Sequence, residues 1–172
     1  KPTREQLSWH ITQMRYSGEP GYINAEEGSR RRPNFNGVNP CAEILLDSKG
    51  LCNLTTINCM AFVGEDGILD REGLLEAERM SARAGLRMTC TELEIPEWNN
   101  VQQRDRLLGC SLTGWQDMVN AIGLTMEEQA ELLSDMRKAA NDAAASYAAE
   151  LGLNAPLLVT TVKPEGTLSL LP

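Results

Sequence analysis

Histidine is almost missing from this 172-residue chain, which has one, His10. Its five cysteines, at 41, 52, 59, 90 and 110, include no Cys-x-x-Cys pair. Zinc centres draw on clustered Cys and His at short fixed spacings, so no metal site is expected. Basic residues are also in deficit: 16 Lys and Arg against 24 Asp and Glu give a formal net charge of −8 and a pI near 4.7. Sequence-independent nucleic-acid binding neutralises phosphates with basic residues, and this balance argues against it. No apolar run approaches a membrane span, and no signal pattern is recognisable. An odd number of cysteines without a secretory signal fits a reducing compartment, where a disulfide is transient and catalytic, so a cytoplasmic protein is expected. The length suffices for one domain with its own core.

What is present concentrates in Asn39-Pro40-Cys41-Ala42-Glu43-Ile44 and, after the turn Asp47-Ser48-Lys49-Gly50, in Leu51-Cys52-Asn53-Leu54. Pro40 cannot donate to a strand ladder and biases Asn39 away from helix, which puts Cys41 on a loop. If that segment is extended, Asn39, Cys41 and Glu43 share one face. A thiol between an amide and a carboxylate suits chemistry on a polar, hydroxylated substrate. A neighbouring carboxylate disfavours thiolate, so a sulfur reacting as a radical explains the pattern better than conventional nucleophilic activation. Cys52 follows 11 residues later, within reach of Cys41 if the chain makes a tight excursion. The alternative from the residues alone is a non-catalytic α/β module with both cysteines as packing residues.

The remaining elements follow from pattern. Residues 3–16 read as the end of a helix packed on a sheet, followed by the turn Ser17-Gly18-Glu19-Pro20-Gly21 and a short strand at Tyr22-Ile23-Asn24. Ser29-Arg30-Arg31-Arg32-Pro33 is either an anion contact or a solvated loop. A β-branched run predicts a strand through Asn58. Asp70 is an N-cap for a helix to about Leu93, with Cys90 on it; Cys59, Cys90 and Cys110 are expected as buried small hydrophobes. Ile95-Pro96-Glu97-Trp98 breaks the chain. The stretch 107–114 is apolar, and its two glycines allow close backbone packing. Trp115 to Ile122 reads as helix stopped by Gly123. Thr125 and Glu128 form a capping box for a long helix to about Leu151, with Gly152 as its stop and an Ala-rich half as scaffold. Leu157-Leu158-Val159-Thr160-Thr161-Val162 has the pattern of a strand buried on both faces. Helices alternating with such strands give an α/β fold.

Val38-Asn39-Pro40-Cys41-Ala42-Glu43-Ile44 followed by Leu51-Cys52-Asn53-Leu54 resembles the finger loop and next strand of ribonucleotide reductases. It looks most like the adenosylcobalamin-dependent, class II ribonucleoside-triphosphate reductases, whose loop has Asn-Pro-Cys, a Glu two residues on and a second Cys after the same excursion. Class I large subunits, which use a separate radical-generating subunit, are the alternative; they tend to have Leu before the loop cysteine and a longer gap. Thr161-Val162-Lys163-Pro164-Glu165-Gly166-Thr167-Leu168-Ser169 resembles the loop that cradles the substrate's phosphates. Gly18-Glu19-Pro20-Gly21 and Leu108-Gly109-Cys110-Ser111-Leu112-Thr113-Gly114 extend the likeness along nearly the whole chain.

The resemblance implies part of the ten-stranded α/β barrel of these enzymes, with a central finger loop carrying Cys41. Residues 1–172 would then be an internal piece of a longer catalytic chain, inactive alone because an incomplete barrel cannot close. It implies that Cys41 is the radical thiol, that Glu43 is base to the ribose 3′-hydroxyl and that Asn39 bonds the ribose hydroxyls. Cys52 would be one of two reducing thiols, its partner on an earlier strand. Asn24 matches a polar position near the substrate cavity. Glu165, Gly166, Thr167 and Ser169 would form the phosphate loop, Glu165 with its carboxylate turned away. Adenosylcobalamin is the implied cofactor, its cobalt held by the corrin. Implied partners are a ribonucleoside triphosphate, thioredoxin or a similar dithiol acting through cysteines beyond this sequence, and deoxynucleotide effectors bound elsewhere.

Overall fold

Thr3 opens the first helix: its hydroxyl accepts from the Gln6 backbone N–H while the Gln6 side chain bonds back to Thr3, a capping box. The computed structural model describes residues 2–19 and 21–164, and the chain divides into two units, Lys1–Phe35 and Asn36–Pro172. In the first unit α1 (Arg4–Ser17) ends on Gly18 at φ 76°. None of its residues is buried and Trp9 and Ile11 are exposed, so the expected packing of this helix on a sheet is not seen among the described residues. The expected strand at residues 22–24 is replaced by the approach to α2 (Ala25–Arg31), because the Asn24 carboxamide accepts from the Glu27 N–H and caps that helix. Arg30 and Arg31 lie in its last turn and both pair with Glu27, so the basic cluster is largely answered within its own helix.

The second unit begins with a small antiparallel hairpin, β1 (Gly37–Val38) and β2 (Leu45–Leu46), pairing Gly37 with Leu46 and Val38 with Leu45. The next strand, β3 (Asn53–Asn58), runs into a 3₁₀ turn (Cys59–Phe62) and then α3 (Arg71–Met88), capped by Asp70. This helix stops five residues short of the expected end. Thr89 turns its hydroxyl onto the Leu86 carbonyl, and Cys90 lies past the end of α3 and exposed rather than buried on it. Pro96 does not break the chain but opens α4 (Pro96–Asp105), since the first helical position needs no N–H. The apolar stretch after it is β4 (Leu108–Thr113), followed by α5 (Trp115–Ile122) and α6 (Met126–Glu150). Gly123 at φ 72° and Gly152 at φ 67° stop those two helices where expected, and the Thr125–Glu128 capping box is present.

β3 and β4 pair in parallel from Asn53 opposite Leu108 to Asn58 opposite Thr113. Residues 158–161 lie along the other edge of β4. The Leu108 and Cys110 N–H groups donate to Leu158 and Val159, and the Thr161 N–H donates to Cys110. This third parallel segment is not buried on both faces as expected: Leu157 and Val162 at its two ends are exposed, because among the described residues it is an edge segment paired only with β4. α3 packs on one side of the sheet, and α6 packs on α3. Its buried positions Leu74, Leu75, Ala82 and Leu86 form a helical stripe, each leucine contributing about 1.5–3 kcal/mol of burial. α6 meets it with Leu132, Met136, Ala140, Ala144 and Ala148, a strict four-residue spacing whose alanines permit close approach. Strand alternation directs Thr55, Ile57, Cys110 and Leu112 to this helical side and Cys52, Leu54, Gly109 and Ser111 to the opposite one.

Candidate functional site

Pro40 sits second in a four-residue turn closed by the Ala42 N–H on the Asn39 carbonyl, 2.9 Å away. Ala42 follows at φ 63°, a left-handed conformation that costs a residue with a Cβ about 1 kcal/mol. The turn places Cys41 exposed at the tip of the β1–β2 hairpin. The segment is therefore not extended, and the two-residue alternation assumed for Asn39, Cys41 and Glu43 does not describe it. The Asn39 carboxamide oxygen instead accepts from the Ile44 N–H at 2.9 Å and closes the loop, leaving its NH₂ end to donate elsewhere.

Glu43 is half-buried, and its Oε2 is fully buried with no hydrogen-bond partner among the described residues. An orphaned buried acceptor costs about 1–3 kcal/mol and calls for an explanation such as a catalytic role or a bound water or ion. The Glu43 backbone carbonyl is engaged: it accepts from the Thr161 hydroxyl at 2.8 Å, a contact between residues 118 apart. That bond brings the end of the third strand against the cysteine loop. One residue pair further on, the Lys163 N–H donates to the Ser111 hydroxyl at 3.0 Å.

Cys52 precedes β3 on the same side of the sheet as the hairpin. Gly109 of β4 makes room for it: a Cβ there would collide with Leu54 and stand 3.0 Å from the Cys52 sulfur and 3.2 Å from Ile44. A glycine inside a strand often marks such a close approach. Burial pushes the Cys52 thiol up to about 12, and its neighbours Cys110 and Glu43 add to the shift. The sulfur is thus held as a protonated thiol, a hydrogen donor rather than a nucleophile. Cys59 and Cys110 are buried on the helical side, as expected.

Among the sequence-predicted residues, Glu43 and Cys52 are electrostatic neighbours, and Asn39, Cys41 and Glu43 share the hairpin loop. Asn24 caps its helix in the other unit. Glu165, Gly166, Thr167 and Ser169 lie outside the described residues. Gly109 gives the close backbone packing expected of the glycines in 107–114, here against Cys52, whereas Thr161, read as the start of the phosphate-loop stretch, carries no local signal of its bond to Glu43.

A family model described as ribonucleotide reductase, barrel domain, matches residues 4–155. A protein of Mycobacterium phage D29 is 29% identical over 163 residues, covering 91% of this chain and 24% of that protein. The adenosylcobalamin-dependent ribonucleoside-triphosphate reductase of Lactobacillus acidophilus is 27% identical over 190 residues, covering 90% and 25%. The crystal structure of a B12-dependent (class II) ribonucleotide reductase has the same fold, with a TM-score of 0.81, 24% identity, and 93% of this chain matched to 26% of that one. The chain spans about a quarter of the length of the curated relatives it matches. Matched along most of its length by the barrel-domain model, and folded as parallel strands alternating with helices, the chain belongs to the ribonucleotide reductase barrel-domain family.

Proposed function

We propose that this chain is the finger-loop portion of an adenosylcobalamin-dependent ribonucleoside-triphosphate reductase, a partial barrel domain working in the cytoplasm as part of a larger catalytic chain. The observation that carries the reading is the bond from the Thr161 hydroxyl to the Glu43 carbonyl, which ties the strand leading to residues 165–169 to the loop bearing Cys41. The names of the relatives favour the cobalamin-dependent enzyme over one with a separate radical-generating subunit.

The residues present fit such a cofactor in one respect: the Cys41 side chain is exposed at the hairpin tip, open to a radical delivered from outside the fold. Adenosylcobalamin, when bound, supplies the radical that removes the hydrogen atom from the Cys41 sulfur. As a thiyl, Cys41 then takes the 3′-hydrogen of the ribose. The orphaned Glu43 Oε2 accepts the 3′-hydroxyl proton, and the free NH₂ end of Asn39 donates to a ribose hydroxyl. The 2′-hydroxyl leaves as water with a proton from one of two reducing thiols, the other thiol hydrogen goes to C2′, and Cys41 and Glu43 return the hydrogen atom to C3′ and the proton to its oxygen. The two electrons come from Cys52, kept protonated by its burial, and from a second thiol on another part of the enzyme, the two ending as a disulfide. A thioredoxin-type dithiol re-reduces that disulfide, and deoxynucleotide effectors act elsewhere on the enzyme. Gly166, Thr167 and Ser169 are the proposed phosphate contacts.

In the full-length enzyme, Cys41→Ser should abolish hydrogen exchange between the nucleotide 3′-position and the cofactor. Exchange at the wild-type rate in that variant would refute the assignment. Cys52→Ser should preserve part of that exchange while blocking dithiol turnover, which separates the two sulfurs by role.

A further inference from the structure

The hairpin that presents Cys41 pairs only two residues on each strand. A two-stranded hairpin is at best marginal in water even at full length, so this one cannot fix its own tip. What holds its base is a charged contact. Asp47, directly after β2, has a side chain only 12% exposed, and its carboxylate accepts from three groups. Oδ1 takes the Asn36 carboxamide and the Ser48 N–H, both at 2.7 Å, and Oδ2 takes Arg104 Nη2 at 2.7 Å.

Arg104 lies in the last turn of α4 and is itself fixed by the neighbouring Asp105, with Nε to Oδ1 at 2.6 Å and Nη2 to Oδ2 at 3.0 Å. A fork gripping one carboxylate while reaching a second is a geometry that guanidinium offers and ammonium does not. Two bonds then connect this corner to the segment leading into the third strand: the Asn154 side-chain Nδ2 donates to the Arg104 carbonyl, and the Leu157 N–H donates to the Asp105 carbonyl, each at 2.9 Å. Four residues later Thr161 bonds Glu43 near the hairpin tip. The hairpin, α4 and the third strand thus form a closed ring of contacts, with Arg104 at the base and Thr161 near the tip.

We infer that Arg104 is a positioning residue for the reaction at Cys41: through Asp47 it sets where the hairpin points without touching substrate. The inference rests on the proposed radical role of Cys41. It is tested in the full-length enzyme with Arg104→Ala, Arg104→Lys and, as a control on another exposed ion pair, Lys138→Ala. Hydrogen exchange of the amides in residues 36–47 should quicken several-fold in Arg104→Ala while β4 and α6 keep their protection. In parallel kcat should fall, by up to roughly 100-fold if the tip moves about 1 Å, with KM little changed. Arg104→Lys should recover part of both, and Lys138→Ala should alter neither. Unchanged exchange and kcat in Arg104→Ala would overturn the inference, as would exchange that quickens equally in β4 and α6. The exchange measurement judges the anchor independently of turnover. Failure of the reductase reading would appear instead as turnover surviving Cys41→Ser.

Discussion

Glu78 shows what a single residue can do to this fold. It lies buried on α3 beside Cys59 and Cys110, and burial alone raises its carboxyl from 4.5 to about 7. The fold therefore prefers the protonated acid, while the unfolded chain releases the proton near its ordinary value. Between about pH 4.5 and pH 7 the native state holds more protons than the unfolded state, so stability falls as pH rises through that window and levels off above it. Glu78→Gln should flatten the dependence and stabilise the chain above neutrality by up to about 3 kcal/mol. Protection factors of the α3 amides, compared at about pH 5 and about pH 8, give the check. An unchanged slope in the variant would show that Glu78 is not the group responsible. The loop around Cys41 was legible at this scale because Pro40 forbids a strand there. The inward turn of the Asn39 carboxamide was not, since a short polar side chain bonds its own loop as readily as a ligand.

Among the elements, helices with local punctuation were readable almost to the residue: Thr125 with Glu128, and Gly123 and Gly152 at positive φ. Those decided by tertiary contact were not. Pro96 looked like a break and is a first helical residue, and Asn24 looked like part of a strand and is a cap. β4 remained only an apolar stretch, because helix and strand cannot be told apart by periodicity in so short a run. The Ala-rich half of α6 was legible as scaffold, and its role can be measured. Ala144 is fully buried in the cluster that α6 shares with Ala82 and Leu86 of α3 and Leu108 and Cys110 of β4. Ala144→Leu should destabilise the domain by about 1–3 kcal/mol through overpacking, seen as a lower urea midpoint with an unchanged m-value. A midpoint within error of wild type would mean the helices can part without cost.

For the whole molecule, the α/β character and the finger loop could be read from the chain, but the bond between Thr161 and Glu43 could not. A hydroxyl at 161 bonding a carbonyl at 43 leaves no periodic trace in sequence. Contacts of such long separation carry a large loop-closure cost and form late in folding. Thr161→Val should therefore quicken unfolding and leave the folding rate nearly unaltered. A matching fall in the folding rate would place this contact in the nucleus instead.

The same separation matters while the polypeptide is being made. At about 5–20 residues per second, translation takes on the order of ten seconds to get from Glu43 to Thr161. Over that interval the nascent hairpin has emerged with its cysteine exposed and nothing yet to clasp its upper end. Until Thr161 is made, the hairpin tip lacks the bond that ties it to the strand after α6.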